Sequence, residues 1–123
     1  MRVDYRSAKI HDQCNSFSEA KKLFGGNEAL ARSLMARINA LNSAETLKDI
    51  VMQPQFHFHP LHNYGKSEKC DMYAIDVKTR ADPWRIILTP VTEDTQSSET
   101  VDIIRIAKEI RIIEITEVSK HYE

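Results

Sequence analysis

Residues 73–90, YAIDVKTRADPWRIILTP, contain two short runs in which side chains alternate between the two faces of an extended chain. A period of two predicts a half-buried strand in each run. One face is predicted to carry Tyr73, Ile75, Val77, Trp84, Ile86 and Leu88. Residues 79–83, TRADP, separate the runs, and Asp82-Pro83 is a turn signal. The stretch therefore predicts a β-hairpin, with Arg85 on the face opposite to Trp84.

Arg85 needs a partner if it lies on a central strand, because an unpaired buried guanidinium is costly. One interpretation is a structural ion pair with Glu114 or Glu117 of the last predicted strand. The other is a phosphate-binding pair with Arg80, since guanidinium groups present bidentate donors to phosphate. Residue chemistry alone favours the ion pair and leaves the phosphate site open.

The rest of the chain contains helical patterns first and strand patterns afterwards. Ser16 and Glu19 fit a capping box, Gly25-Gly26 stops that helix, and Asn27 caps a longer one. Residues 101–110 fit either a short helix or a strand. The other predicted elements are an opening strand at 2–5, helices at 15–24 and 27–41, a helical turn at 43–50, and strands at 55–60 and 111–118.

This order predicts an α+β domain in which two N-terminal helices pack on a small, mostly antiparallel β-sheet. The opposite sheet face is expected to be polar and open to a ligand. With 123 residues, of which 41% are apolar and 28% charged, the chain is long enough for one core. We therefore expect residues 1–123 to form a single domain.

Charge and cysteine content restrict the functional classes. The net charge is −1, which is not the signature of a nucleic-acid-binding chain. Basic residues outnumber acidic ones in residues 1–40, and the reverse holds in 93–123. Cys14 and Cys70 lie far apart without metal-type spacing, which predicts reduced thiols. No apolar run has the length of a membrane span, and residues 1–4 do not begin a signal peptide, so a cytoplasmic location is expected.

Three histidines, His57, His59 and His62, lie just before the hairpin. Imidazole is a good zinc ligand, but no carboxylate or cysteine nearby completes a coordination shell, so we expect no metal. On the polar face of the sheet, these side chains could instead transfer protons or contact phosphate when protonated. No Walker loop, dinucleotide fingerprint, GxSxG or HExxH motif is present, and no cofactor is expected.

With these residues laid out, the chain resembles the HigB-like branch of the RelE/ParE superfamily of bacterial toxins, some members of which are labelled killer or killer-suppression proteins. Order and spacing together carry the resemblance, which runs over almost the whole length. The matching segments are KKLFG at 21–25, the helix and NSAETLKDI within 29–50, HPL at 59–61, YAIDV at 73–77, WRII at 84–87 and HY at 121–122.

The resemblance implies a RelE-like fold and the toxin component of a type II toxin–antitoxin system. Such enzymes are ribosome-dependent, metal-independent endoribonucleases that cleave mRNA by attack of its own 2′-hydroxyl. Expected partners are the ribosome, mRNA and a helix-turn-helix (HigA-like) antitoxin. By position in the family pattern, the implied catalytic residues are Arg85, His121, Tyr122 and His62. The implied RNA- or phosphate-binding residues are Arg80, His59 and Lys120.

Two other functions remain open. The chain is slightly acidic, whereas such toxins are usually strongly basic, as ribosomal RNA requires. A noncatalytic member of the fold, which only pairs with an antitoxin or regulator, is therefore the main alternative. A ParE-like gyrase inhibitor is a third.

Overall fold

The computed structural model describes residues 1–61, 72–91 and 103–120, and within them the chain is α+β, as predicted. The strands are β1 (Arg2–Tyr5), β2 (His59–Pro60), β3 (Tyr73–Asp76), β4 (Trp84–Pro90) and β5 (Ile112–Lys120). The helices are α1 (Ala8–Asn15), α2 (Phe17–Leu23), α3 (Glu28–Ser43), α4 (Lys48–Val51) and α5 (Ile103–Ile106). The described residues also contain short 3₁₀ turns at Pro54–Phe56 and Ala107–Glu109.

The N-terminal helices begin and end at polar and glycine positions. Ser16 ends α1 by donating its N–H to the Asp12 carbonyl, and its hydroxyl starts α2 by accepting from the Glu19 N–H. Gly25 and Gly26 follow α2 with φ of 65° and 94°, a region that glycine occupies without a Cβ clash.

α3 is the longest helix of the described residues. The Asn27 side chain accepts a hydrogen bond from the Leu30 N–H and so caps it, as predicted. The prediction of two N-terminal helices is wrong in number, because α1 precedes the expected pair. Apart from Ala8, its only apolar residues are Ile10 and Cys14, which is too weak a stripe to be recognised.

The strands form one sheet in the order β1-β5-β4-β3-β2. β1 runs parallel to β5, and the other three pairings are antiparallel, so the sheet is mixed but mostly antiparallel. In the hairpin, Ile75 pairs with Ile86 and Asp76 with Arg85. The predicted hairpin is confirmed.

The helices cover one face of this sheet. Because side chains alternate along a strand, Ile75 and Ile86 lie on the helix side, where they join one buried cluster with α3. Each fully buried leucine or isoleucine contributes roughly 1.5–3 kcal/mol to folding. Core members that are fully buried include Leu34, Leu41, Leu47, Ile50, Ile75, Ile86, Leu88, Ile110, Ile113 and Ile115.

The opposite sheet face is not wholly polar, contrary to expectation. Leu61, Ala74 and Ile87 form a second, smaller buried cluster there, with Met72 against it. Asp76 and Arg85 occupy the same face, two residues nearer to the hairpin loop than Ala74 and Ile87. This face therefore has an apolar part and a polar part.

Two predictions for short segments are now decided. The strand expected at 55–60 is wrong for most of its length, since Pro54–Phe56 is a 3₁₀ turn and only His59–Pro60 pairs with β3. Pro54 starts the turn, and His57 ends it in the left-handed region. In the ambiguous segment 101–110, residues 103–109 are helical.

Candidate functional site

The candidate site lies at the hairpin-loop end of β3 and β4, on the sheet face opposite to the described helices. Asp76 and Arg85 are cross-strand neighbours there, and the Arg85 Nε lies 3.2 Å from the Asp76 Oδ1. Their side chains are only 2% and 11% exposed. Low exposure makes this ion pair far less screened than a surface pair. The expected ion pair of Arg85 exists, but its partner is Asp76 and not Glu114 or Glu117.

The guanidinium of Arg85 is also bound by backbone carbonyls of the hairpin loop. Nη1 donates to the carbonyls of Asp82 and Trp84, and Nη2 donates to that of Arg80 at 3.0 Å. These bonds use three of the five N–H donors of an arginine, and Nε contacts Asp76 as an ion pair. Arg85 could therefore present a bidentate fork to a phosphate only by giving up loop contacts.

His57 contacts the same carboxylate oxygen. Its Nδ1 lies 3.0 Å from the Asp76 Oδ1, and its backbone has φ 52° and ψ 52°. A non-glycine residue in this region is uncommon and often marks a functional constraint. Because a carboxylate only accepts hydrogen bonds, His57 carries a proton on Nδ1, and in the neutral ring Nε2 is the basic nitrogen.

His59 stacks on His57. Their ring centroids are 4.3 Å apart with an interplanar angle of 27°, and His59 Nδ1 lies 2.7 Å from the His57 carbonyl oxygen. A carbonyl also only accepts, so His59 is held in the same tautomer as His57. His59 pairs with Ala74 in the sheet, which places it on the Asp76 face. We call these two residues the histidine pair.

The histidine pair and the buried ion pair form one continuous polar cluster. Each half-buried imidazole is anchored at Nδ1, which leaves Nε2 as the proton acceptor of each neutral ring. The cluster is thus suited to accepting and returning a proton on this face.

Sequence reasoning missed the role of Asp76. Its position could have been found, since the register that places Ile75 opposite Ile86 on the apolar face also places Asp76 opposite Arg85. Each also interrupts a run of buried apolar residues. Two polar residues at mirrored positions of one hairpin indicate a cross-strand partner.

The remaining predicted site residues do not all converge. Arg80 is exposed in the hairpin loop and contributes its carbonyl to Arg85. Lys120 pairs with Trp84, and its ammonium lies 5.6 Å from the centroid of the indole ring. It therefore lies on the helix side of the sheet, opposite to Arg85. His62, His121 and Tyr122 lie outside the described residues.

Other parts of the described chain contain no comparable cluster of candidate residues. An open groove between β1 and α1 is lined by Tyr5, His11, Asn15 and Glu114, and holds none of the predicted site residues. Within residues 1–61, 72–91 and 103–120, no three His, Cys, Asp or Glu side chains are grouped to hold a metal ion. No helix among these residues combines the length and apolar character needed to cross a bilayer.

Comparison of the sequence with protein-family models, with curated proteins and with solved structures found no match. The resemblance to the RelE/ParE superfamily therefore stays an expectation.

Proposed function

We propose that this chain is the toxin component of a type II toxin–antitoxin system, with the RelE-like arrangement of its fold, and that it cleaves mRNA on the ribosome. The observation that carries the proposal is the histidine pair, in which two stacked, half-buried imidazoles are held through Nδ1 on the sheet face opposite to the described helices. Cleavage by the RNA's own 2′-hydroxyl needs a proton acceptor, positive charge beside the phosphorane and a proton donor. No metal or cofactor enters this chemistry.

His59 Nε2 is the proposed proton acceptor for the 2′-hydroxyl. Its Nδ1 is bound to the His57 carbonyl, so the free lone pair is on the outer nitrogen. His62, His121 and Tyr122 remain the proposed candidates for returning a proton to the leaving 5′-oxygen. Their positions in the chain, next to β2 and β5, support this role.

Arg85 has a changed part in this proposal. Its charge is balanced by Asp76 and most of its donors are bound to carbonyls, so it fixes the hairpin loop and the carboxylate that orients His57. Positive charge for the phosphate then comes from Arg80, which is exposed in that loop, and from a protonated imidazole. Lys120, beside Trp84, is proposed to contact RNA at the strand end rather than the reacting phosphate.

The test is induction of the chain in a bacterial host, with growth and mRNA cleavage inside translated codons as readouts. The informative variant is His59→Ala, and its matched control is His11→Ala, since His11 is exposed on α1 and its imidazole contacts Tyr5 and Asp12. We expect growth arrest and cleavage with the parent chain and His11→Ala, and loss of at least about a hundredfold in cleavage with His59→Ala. Equal cleavage by both variants would remove His59 from the mechanism.

A noncatalytic module that only binds an antitoxin is favoured by one observation, the binding of the Arg85 guanidinium to three backbone carbonyls and to the Asp76 carboxylate. Normal growth with verified folded protein, combined with formation of a complex with a helix-turn-helix antitoxin, would support this alternative. Double-strand DNA breaks without RNA cleavage would instead indicate a gyrase inhibitor.

A further inference from the structure

Arg37 reaches from α3 to the edge of the sheet beside the histidine pair. Its Nε donates to the Asp76 carbonyl at 2.9 Å, and its Nη2 donates to the carbonyls of Lys78 at 3.1 Å and Gln55 at 3.3 Å. Arg37 is half-buried at this position. One guanidinium thus joins β3 to the 3₁₀ turn that precedes His57.

The sheet ladder explains why these carbonyls need a donor. β2 contains only His59–Pro60, which pair with Ala74 and Tyr73. Beyond them, the carbonyls of Asp76 and Lys78, two residues apart, point to the same edge of β3. An extended strand at 55–57 would have supplied N–H groups there, but the turn removes it. Arg37 supplies the missing donors.

The surroundings of Arg37 hold its side chain in place. The guanidinium carbon lies 4.8 Å from the centroid of the buried Phe56 ring, a cation–π geometry. Burial lowers the pKa of the Arg37 guanidinium, and the nearby Asp76 carboxylate opposes this shift. An arginine remains charged under these conditions. Phe56 is the residue directly before His57, so Arg37 contacts the turn through both its backbone and its aromatic ring.

We propose that Arg37 is a positioning residue for the histidine pair, holding His57 in its left-handed conformation so that its Nδ1 meets Asp76. Only the expected effect of Arg37 on cleavage rests on the proposed function, whereas the positioning of His57 does not. A left-handed non-glycine residue costs of the order of 1–3 kcal/mol and persists only where contacts enforce it. Arg37 provides those contacts because its guanidinium hydrogen-bonds the carbonyl of Gln55, two residues before His57, and the carbonyl of Asp76. The side chain of Asp76 is the group that His57 contacts. Without it, the turn is free to relax and both Nδ1 anchors are lost together.

The proposal is tested by the tautomers of His57 and His59, read from the ring ¹⁵N shifts in nuclear magnetic resonance. The variants are Arg37→Met, which removes the donors, and Arg37→Lys, which keeps a charge but not the planar fork. The matched control is Arg32→Met on the same helix, because the exposed guanidinium of Arg32 bonds the exposed Glu28. The readout needs no cleavage, so it remains valid if the proposed function fails.

In the parent chain and in Arg32→Met, we expect both rings to carry their proton on Nδ1. In Arg37→Lys, and in Arg37→Met if it folds, we expect both rings to give averaged tautomer shifts, with cleavage lowered roughly tenfold or more and KM little changed. A folded Arg37→Lys with the parent tautomers would overturn the proposal. If the tautomers change but cleavage is absent in every variant, the positioning role holds and the proposed function fails.

Discussion

The two faces of the β3–β4 hairpin are built from adjacent cross-strand pairs but are stabilised differently. On the helix side, Ile75 and Ile86 are fully buried in an apolar cluster that holds both sheet and helix side chains. On the other side, the buried Asp76 carboxylate contacts the Arg85 guanidinium and the His57 imidazole. The guanidinium also binds three backbone carbonyls. Apolar contacts are nondirectional, whereas each atom of the polar cluster has a specific partner. We therefore expect the two faces to respond differently to substitution.

The largest effect is expected for Asp76→Ala. The change leaves Arg85 with a buried, uncompensated charge and removes the anchor of His57, so the free energy of unfolding should fall by about 3–5 kcal/mol. Urea unfolding at pH 7 measures it. The matched control is Asp4→Ala, because the Asp4–Arg2 ion pair also lies on a strand but has both side chains exposed. This variant should lower the free energy of unfolding by less than about 1 kcal/mol. Equal losses in both variants would show that burial of the pair does not matter.

The hairpin could be predicted because its evidence is local. Alternation from Tyr73 to Leu88 and the Asp82-Pro83 turn together fix the register. The partner of Arg85 follows from that register, but residue chemistry alone favours a partner on the last strand. The sequence does not specify how that strand aligns with β4. An irregularity between Ile87 and Leu88 further obscures that alignment.

The surroundings of His57 could not be predicted in this way. Alternating Phe56, His57, Phe58 and His59 indicated a strand, but Pro54 and the contact with Arg37 impose a turn. Tertiary contacts override local pattern when a distant side chain replaces the ladder hydrogen bonds. The helical pattern of α3 places Arg37 near the boundary of its apolar stripe but does not reveal what lies opposite.

A second difference between the faces concerns ionisable groups. Cys14 belongs to the apolar cluster, and burial raises its thiol pKa from 9.0 to about 12. The unfolded thiol loses its proton near pH 9 while the native thiol retains it, so ionisation favours unfolding. The contribution of Cys14 to the free energy of unfolding should therefore be constant below pH 9 and fall as the pH rises toward 12.

Urea unfolding between pH 8 and 11 checks this expectation, with Cys14→Ala as the comparison. The variant will be less stable at every pH because of its cavity, so the slope with pH is the informative quantity. The slope should be reduced but not abolished, since burial also raises the pKa of Tyr5. Identical slopes for parent and variant would exclude Cys14 as the source.

A smaller effect is expected on the apolar face from Ile86→Val. Removing one methylene from this buried position should lower the free energy of unfolding by about 0.5–1.5 kcal/mol, because neighbouring side chains partly fill the space. Urea unfolding measures the loss, and the tautomers of the histidine pair should not change. A tautomer change would mean that the two faces are coupled through the backbone of β4.

The smallest effect is expected from removing both members of the buried pair together. In Asp76→Leu combined with Arg85→Met, no charge remains to be compensated, and apolar side chains of similar size fill a site already next to Ala74 and Ile87. Replacing a buried ion pair by apolar residues is often neutral or stabilising, so the free energy of unfolding should stay within about 1 kcal/mol of the parent. The two single variants and the double variant form a cycle whose coupling energy isolates the pair. If the double variant is as unstable as Asp76→Ala, the carbonyl contacts of Arg85 or the anchor of His57 must carry the stability instead.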